Sequence, residues 1–182
     1  RFALGMDPDS HISLYFGNVR AYKGIEALVG SFSRADLPDA KLVVAGKMWS
    51  DYFSFDTHQV HSDLPEGRVT TWLKPSSDPF TGEEIRNLMS AADMVVLPFR
   101  QVLSSGSVML ALSYGKPVVC PRLGCLGELL EDCEGAVLYE PGSQDGLTKA
   151  LQVGRNLDLQ LASRAALERA LQMNWSSIAS ST

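Results

Sequence analysis

Two basic residues that follow the first apolar run of the chain could hold an anion. Arg20 and Lys23 stand one helical turn apart within residues 17–24 (GNVRAYKG), where the next helix is predicted to begin. Positive charge at a helix N-terminus opposes the helix dipole, so the fold gains least from basic residues there. A guanidinium and an ammonium at this spacing are suited to binding phosphate. We favour this interpretation over that of two solvated surface charges.

A turn of small residues later in the chain offers donors for the same kind of ligand. Ser104, Ser105, Gly106 and Ser107 separate an apolar run from a helix predicted at residues 108–114. The first turn of a helix leaves backbone N–H groups without partners, and the helix dipole adds partial positive charge there. The turn therefore predicts one wall of an anion pocket.

Strand-like and helix-like segments alternate along the chain, and these elements must position the candidate residues. Four runs (SLYF, LVVA, MVVL and PVVC) are almost entirely apolar, which is typical of parallel strands covered on both faces. Strands are predicted at residues 12–17, 41–46, 67–73, 93–98, 117–120 and 136–139. Helices are predicted at residues 22–35, 48–61, 83–92, 108–114, 126–131, 145–153 and 157–172. The alternation predicts an α/β fold with a doubly wound parallel sheet of about six strands.

The order of the strands decides whether the two anion-binding segments meet. In the common order 3-2-1-4-5-6, the first and fourth strands are neighbours at the switch point where ligands bind. The loop with Arg20 and Lys23 follows the first strand, and the turn from Ser104 to Ser107 follows the fourth. Both would then line one crevice and hold a diphosphate between them.

Composition limits the classes of protein to which the chain can belong. A net charge of −5 without a cluster of basic residues argues against nucleic-acid binding. No apolar run approaches the roughly 20 residues that span a bilayer, although peripheral membrane contact by a full-length protein stays open. Three cysteines without metal-ligand spacing predict reduced thiols and a cytoplasmic protein.

The 182 residues divide into one domain and two short flanking segments. Residues 1–10 contain glycine and proline and precede the first strand, so we predict an incoming linker. Residues 11–172 form the predicted domain, and residues 173–182 a tail or short helix. Because the sheet begins abruptly after the linker, we expect the chain to be part of a longer protein.

Several familiar motifs are absent from the sequence. Neither loop carries the dinucleotide fingerprint G-x-G-x-x-G or a P-loop, and no acidic residue follows the second strand to bind an NAD ribose. No G-x-S-x-G elbow supports a serine hydrolase. His58 and His61 have aspartates nearby but no convincing third ligand for zinc, so we predict no metal site.

Six segments, taken together, resemble the C-terminal half of a family 4 glycosyltransferase of the GT-B type. They are GNVRAYKG, KLVVAG, AADMVVLPF, SSGSVMLALSYGKPVV, GELLED and GAVLYEPGS, within about residues 14–150. The resemblance implies the Rossmann-like domain that binds a nucleotide-sugar donor, with no further cofactor. It also implies that the acceptor, unidentified here, docks mainly on an N-terminal Rossmann-like domain of the same protein, which this chain lacks. Such enzymes often build polysaccharide or glycolipid.

The resemblance implies roles for particular residues. Lys23 matches the lysine that pairs with the donor diphosphate. Arg20 stands in for the arginine that usually follows the strand-end glycine, because Asn18 occupies that position here. Both cations would stabilise the departing nucleoside diphosphate. The expected donor contacts are Gly17, Ser104, Ser105, Gly106, Ser107 and Glu128.

Three expectations stay open at this point. Glu128 could touch the donor, or it could cap a helix or lie solvated on the surface. Trp72 could form a wall for the nucleotide base, although core packing is the default for such a residue. Val102 and Leu110 occupy the two positions where the family usually has glutamates, so retention or inversion of the sugar linkage is undecided. The missing carboxylates keep open the alternative of a non-catalytic nucleotide-sugar-binding module. A related GT-B enzyme, such as a nucleotide-sugar epimerase, is a second alternative.

Overall fold

A computed structural model describes residues 1, 6–48, 64 and 66–173. The strands are β1 (His11–Val19), β2 (Ala40–Met48), β3 (Val69–Pro75), β4 (Met94–Val96), β5 (Val118–Pro121) and β6 (Ala136–Tyr139). The helices are α1 (Ile25–Arg34), α2 (Gly82–Ala91), α3 (Gly106–Ser113), α4 (Leu126–Leu130), α5 (Gly146–Arg155) and α6 (Leu159–Gln172). Most of the helix predicted at residues 48–61, both histidines of the zinc alternative, and the tail after residue 173 lie outside the described residues.

The six strands form one parallel sheet in the order β3-β2-β1-β4-β5-β6. The predicted doubly wound fold and its strand order are therefore confirmed. The central strands are covered on both faces, and Leu14, Val44, Val96 and Val119 are at most 1% exposed. Their continuous apolar runs reflect this burial, since no face of a central strand meets water. The order makes β1 and β4 neighbours, with Ser13 opposite Met94.

Helix α1 packs on the sheet through the apolar stripe that its sequence predicts. Ile25, Leu28, Val29 and Phe32 are each at most 2% exposed. Their spacing at i, i+3, i+4 and i+7 places them on one face of the helix. The buried stripe therefore holds α1 against the sheet, and the helix begins shortly after the carboxyl end of β1.

The predicted start of this first helix is wrong by three residues. Ala21–Lys23 forms a separate 3₁₀ turn, and Gly24 then adopts a left-handed conformation with φ of 70° before α1 begins at Ile25. A Cβ atom at Gly24 would overlap the carbonyl oxygen of Pro98, in the loop after β4. This close approach requires glycine and breaks the helix. Lys23 thus lies just outside α1, not in its first turn.

Strands β1 and β2 run further at their carboxyl ends than the apolar pattern predicts, whereas β4 is shorter than the predicted strand at residues 93–98. Asn18 belongs to β1 and Lys47 to β2, where they are opposite one another in the parallel register. At the preceding pair, Gly46 has no room for a side chain because the carbonyl oxygen of Gly17 occupies that space. The two glycines therefore bring the carboxyl ends of β1 and β2 close together.

Within the part of the chain that the structure describes, no helix has both the length and the apolar character needed to span a membrane.

Candidate functional site

A pocket of about 440 Å³ opens at the carboxyl ends of β1 and β2 and beside the start of α3. This is the switch point of the sheet, since the connections from β1 and β4 leave in opposite directions. We call the part lined by Lys23, Gly106 and Ser107 its polar end, and the part lined by Phe16 and Phe80 its apolar end. Its lining residues are Phe16, Gly17, Asn18, Lys23, Gly46, Lys47, Pro79, Phe80, Ile85, Gly106 and Ser107.

The N-terminus of α3 forms one side of the polar end. The helix begins at Gly106, two residues earlier than predicted, so Gly106 and Ser107 belong to its first turn. The Ser105 hydroxyl caps the helix by accepting a hydrogen bond of 3.3 Å from the backbone N–H of Val108. A cap of this kind satisfies one free donor and leaves the remaining first-turn amides for solvent or a ligand.

Gly106 leaves open space at the pocket. It is exposed, and a Cβ atom built there would meet no other atom within 4 Å. The fold itself therefore does not require glycine at this position. Its absent side chain allows a ligand to come close to the backbone of α3.

Gly17 and Ser107 show that the two predicted anion-binding segments meet. A Cβ atom at Gly17 would lie only 3.2 Å from the Ser107 hydroxyl oxygen. The end of β1 and the first turn of α3 are thus in contact across the floor of the pocket. The crevice expected from the order of the strands is present.

Lys23 brings a partly desolvated cation to this crevice. Its ammonium lies 4.4 Å from the centre of the Phe99 ring and 5.2 Å from that of Tyr22. Burial lowers the pKa of Lys23 below its usual value, and the positive charge of Arg20 lowers it further. The ring faces attract the cation, but neither ring offers a negative charge. An anionic ligand would therefore stabilise the charged form of Lys23.

The other predicted contacts lie outside the lining of this pocket. Arg20 is half-buried and close enough to Lys23 for its charge to be felt, yet it does not line the pocket. Ser104 is exposed and Ser105 caps α3. Glu128 is exposed in the first turn of α4, a helix that begins after β5. The structure thus brings together Gly17, Lys23, Gly106 and Ser107.

The apolar end of the pocket is built from aromatic residues that the sequence analysis largely missed. Phe16 and Phe80 line the pocket and pack edge to face, with ring centres 5.4 Å apart. Trp72 lies behind them, also 5.4 Å from Phe80 and tilted by 63°. Trp72 therefore supports the wall rather than forming it. Phe80 comes from the loop before α2, and no sequence pattern ties that loop to β1.

An ion-pair cluster holds this wall in place. Lys74, at the end of β3, lies 2.7 Å from the Glu84 carboxylate, 3.5 Å from that of Asp78 and 5.0 Å from the centre of the Phe80 ring. The hydrogen bond to Lys74 lowers the pKa of Glu84, and the same bond raises the pKa of Lys74. Glu84 also completes a capping box with Thr81 at the start of α2. The loop with Phe80 is thus tied at both ends.

Carboxylates are missing from the described lining of the pocket. Leu110 and Val102, at the positions where the resemblance leads one to expect glutamates, are half-buried and pack against the core. Among the described residues, no group of three His, Cys, Asp or Glu side chains could hold a metal ion. The site therefore offers cations, amides and aromatic rings as its means of recognition.

Comparison with known protein families finds a model that matches most of the chain. The family model for group 1 glycosyl transferases matches residues 10–153. A GDP-mannose:glycolipid 4-beta-D-mannosyltransferase of Xanthomonas campestris is 31% identical over 108 residues, which are 59% of this chain and 29% of that protein. The chain spans less than half the length of that relative.

Solved structures share the fold. Sucrose-phosphate synthase of Thermosynechococcus elongatus superposes with a TM-score of 0.80 and 24% identity, over all of this chain and 46% of its own. The HepE protein of Anabaena, solved in complex with UDP, gives a TM-score of 0.78 and 21% identity, over all of this chain and 49% of its own. These likenesses establish a Rossmann-like fold of the kind found in GT-B glycosyltransferases.

Proposed function

Because the chain belongs to the group 1 glycosyltransferase family, we propose that it binds a nucleoside-diphosphate sugar as the donor domain of a glycosyltransferase. The observation that carries this proposal is the division of one pocket into two unlike ends. Lys23 and the first turn of α3 face one end, and Phe16 and Phe80 form the other. A nucleoside diphosphate has the same two parts, an anionic diphosphate and a flat base.

At the polar end, the ligand would replace water around groups that already carry positive charge. The first-turn amides of α3 and the Lys23 ammonium would donate to diphosphate oxygens. As the bond between sugar and diphosphate breaks, negative charge grows on the leaving group. Donors fixed in place before the reaction stabilise that charge without reorganising. Lys23 and the backbone at Gly106 thus serve both binding and leaving-group departure.

At the apolar end, the base would lie against Phe16 and Phe80. Base–aromatic contacts are worth about 1–3 kcal/mol per base and tolerate different bases. The ion pair between Lys74 and Glu84 would keep this wall rigid. The HepE structure, which contains UDP, supports a nucleotide ligand for a domain of this fold.

The acceptor would be bound by a second Rossmann-like domain of the same protein. The chain covers only 29% of the mannosyltransferase and 46% of the synthase that it resembles. Sugar transfer by the whole protein is therefore part of the proposal, as are cytoplasmic location and peripheral membrane contact by the full-length protein.

A second function is favoured by one observation, the replacement of both usual glutamates by Val102 and Leu110. Without those carboxylates, the domain could bind a nucleotide sugar without taking part in transfer. Nucleotide affinity alone does not separate the two functions. Sugar transfer by the full-length protein with a donor that this chain binds supports the transferase, and its absence supports the binding module.

Calorimetric titration of the chain with UDP, GDP and ADP sugars tests donor binding. Lys23→Ala should weaken the preferred nucleotide roughly tenfold to a hundredfold, because it removes a charge-assisted hydrogen bond worth about 1.5–3 kcal/mol. Lys149→Ala, which removes an exposed charge on α5, should leave the affinity unchanged. Failure of every nucleotide to bind the unaltered chain would overturn the proposed function.

A further inference from the structure

The lining of the pocket contains a second lysine, Lys47, that neither the sequence motifs nor the family resemblance assigns. Lys47 lies near the end of β2 and lines the pocket together with Lys23. In the parallel register of the sheet it is opposite Asn18 of β1. Neighbouring strands are about 4.8 Å apart, so the two residues lie side by side at the pocket.

Strand geometry places the side chain of Lys47 on the pocket face. Alternate residues of a strand share one face, so Phe16 and Asn18 lie on the same face of β1. Their partners across the register are Ala45 and Lys47. Residues opposite one another in a parallel pair point to the same side of the sheet. Lys47 therefore shares its face with two pocket-lining residues of β1.

The charge of Lys47 is not balanced within the described fold. None of the salt bridges between described residues includes Lys47, and the described lining of the pocket contains no carboxylate. Its neighbour on the next strand, Lys74, is the opposite case, because Glu84 and Asp78 neutralise it. Both lysines are cations, but among the described residues only Lys74 has carboxylate partners, so the charge of Lys47 is available to a ligand.

Position 18 leaves β1 without a charged side chain in the lining of the pocket. The family resemblance leads one to expect an arginine directly after Gly17, and this chain has the neutral Asn18 there. Arg20, the substitute that the sequence suggests, does not line the pocket, whereas Lys47 does. The geometry points to Lys47 as the second cation of the diphosphate site, supplying from β2 the charge that β1 lacks. This inference rests on the proposed nucleotide function and assigns a binding residue within it.

The test replaces Lys47 with methionine, which keeps an unbranched side chain close to the length of the lysine stem and removes the charge. Binding of the diphosphates UDP, GDP and ADP, and of the monophosphates UMP, GMP and AMP, is measured by calorimetry on the 182-residue chain. Lys47→Met should weaken the preferred nucleoside diphosphate by about tenfold or more. The loss should be smaller for the monophosphate, so the ratio of the two affinities falls. Lys47→Arg should retain binding, because it keeps the positive charge.

Lys41→Met is the matched control. Lys41 is a half-buried lysine of the same strand at the amino end of the sheet, where it lines a different pocket. Its replacement should leave nucleotide binding unchanged, and thermal unfolding of both variants verifies that each folds.

The possible outcomes separate this inference from the function on which it rests. Unchanged affinity in Lys47→Met with a loss in Lys23→Ala would leave the proposed function standing and overturn the role of Lys47. An equal loss for diphosphate and monophosphate would also overturn it, since Lys47 would then contact another part of the nucleotide. If the unaltered chain binds none of the six nucleotides, the proposed function fails and the assignment of Lys47 fails with it.

Discussion

At Gly106, the residue type that would best stabilise the fold differs from the one that leaves room for a ligand. A methyl group there would meet no atom of the protein within 4 Å, and alanine favours a helix more than glycine does. By the needs of the fold alone, alanine would be the better residue. Under the proposed function, glycine is explained by the space that it leaves for a ligand over the first turn of α3.

Gly106→Ala should accordingly weaken nucleotide binding without loss of stability. The added methyl group would project into the pocket and hold the diphosphate away from the α3 amides. We expect an unchanged or slightly higher melting temperature by calorimetry, together with at least about a tenfold loss of affinity for the preferred nucleoside diphosphate, equivalent to about 1.4 kcal/mol. Full affinity in this variant would show that the ligand does not approach α3 at this point.

Residue types alone predicted part of the pocket and missed the rest for a physical reason. Lys23, Gly106 and Ser107 could be found because each lies in a short segment whose local pattern carries meaning. Phe80 and Lys47 could not, because each becomes relevant only through its neighbours on other strands. Lys47 follows an apolar run like many surface lysines, and only the register with Asn18 brings it to the pocket.

The connection from β1 to α1 is the element that positions Lys23. The chain ends β1, makes a 3₁₀ turn, and reverses at Gly24 into α1. The backbone N–H of Arg100 also donates to the carbonyl oxygen of Tyr22 over 2.8 Å, which joins this turn to the loop after β4. The loops after β1 and β4 are therefore braced against each other beneath the pocket.

Gly24→Ala should loosen this brace and lower stability. The residue would be strained in the left-handed conformation, and its methyl group would collide with the Pro98 carbonyl. Chemical denaturation should show a loss of about 2–4 kcal/mol. Gly142→Ala is the matched control, since Gly142 has a similar φ of 79° but nothing within 4 Å of the added group. It should cost only about 1 kcal/mol, and equal losses in the two variants would contradict the brace.

At the scale of elements, the sequence predicted the sheet well and the ends of its elements poorly. Apolar runs mark the buried centre of each strand, and two-faced burial forces the parallel, doubly wound arrangement. The order 3-2-1-4-5-6 then follows from common topology. The ends of β1 and β2 depend instead on the close backbone contact between Gly17 and Gly46. The hydrophobic pattern of the sequence does not predict such a contact.

At the scale of the whole molecule, the described lining of the pocket comes from several separate elements. The sheet, α3 and the loop before α2 enclose the proposed diphosphate and base positions. In the described residues, no carboxylate lies in the lining to activate an acceptor or to contact the transferred sugar. Under the proposed function, donor binding by this chain is therefore separable from sugar transfer by the whole protein.

We expect the 182-residue chain to bind its nucleotide sugar and to transfer no sugar on its own. An acceptor must be held close to the sugar carbon for reaction, and positioning of this kind accounts for a large part of enzymatic rate enhancement. The chain covers less than half of the relatives compared here, so the acceptor side would come from the rest of the protein. Incubation with a radiolabelled donor sugar and a glycolipid acceptor, for this chain and for the full-length protein, provides the measurement. We expect the full-length protein to transfer sugar and the isolated chain to transfer none. Transfer by the isolated chain would place the complete catalytic machinery within these residues.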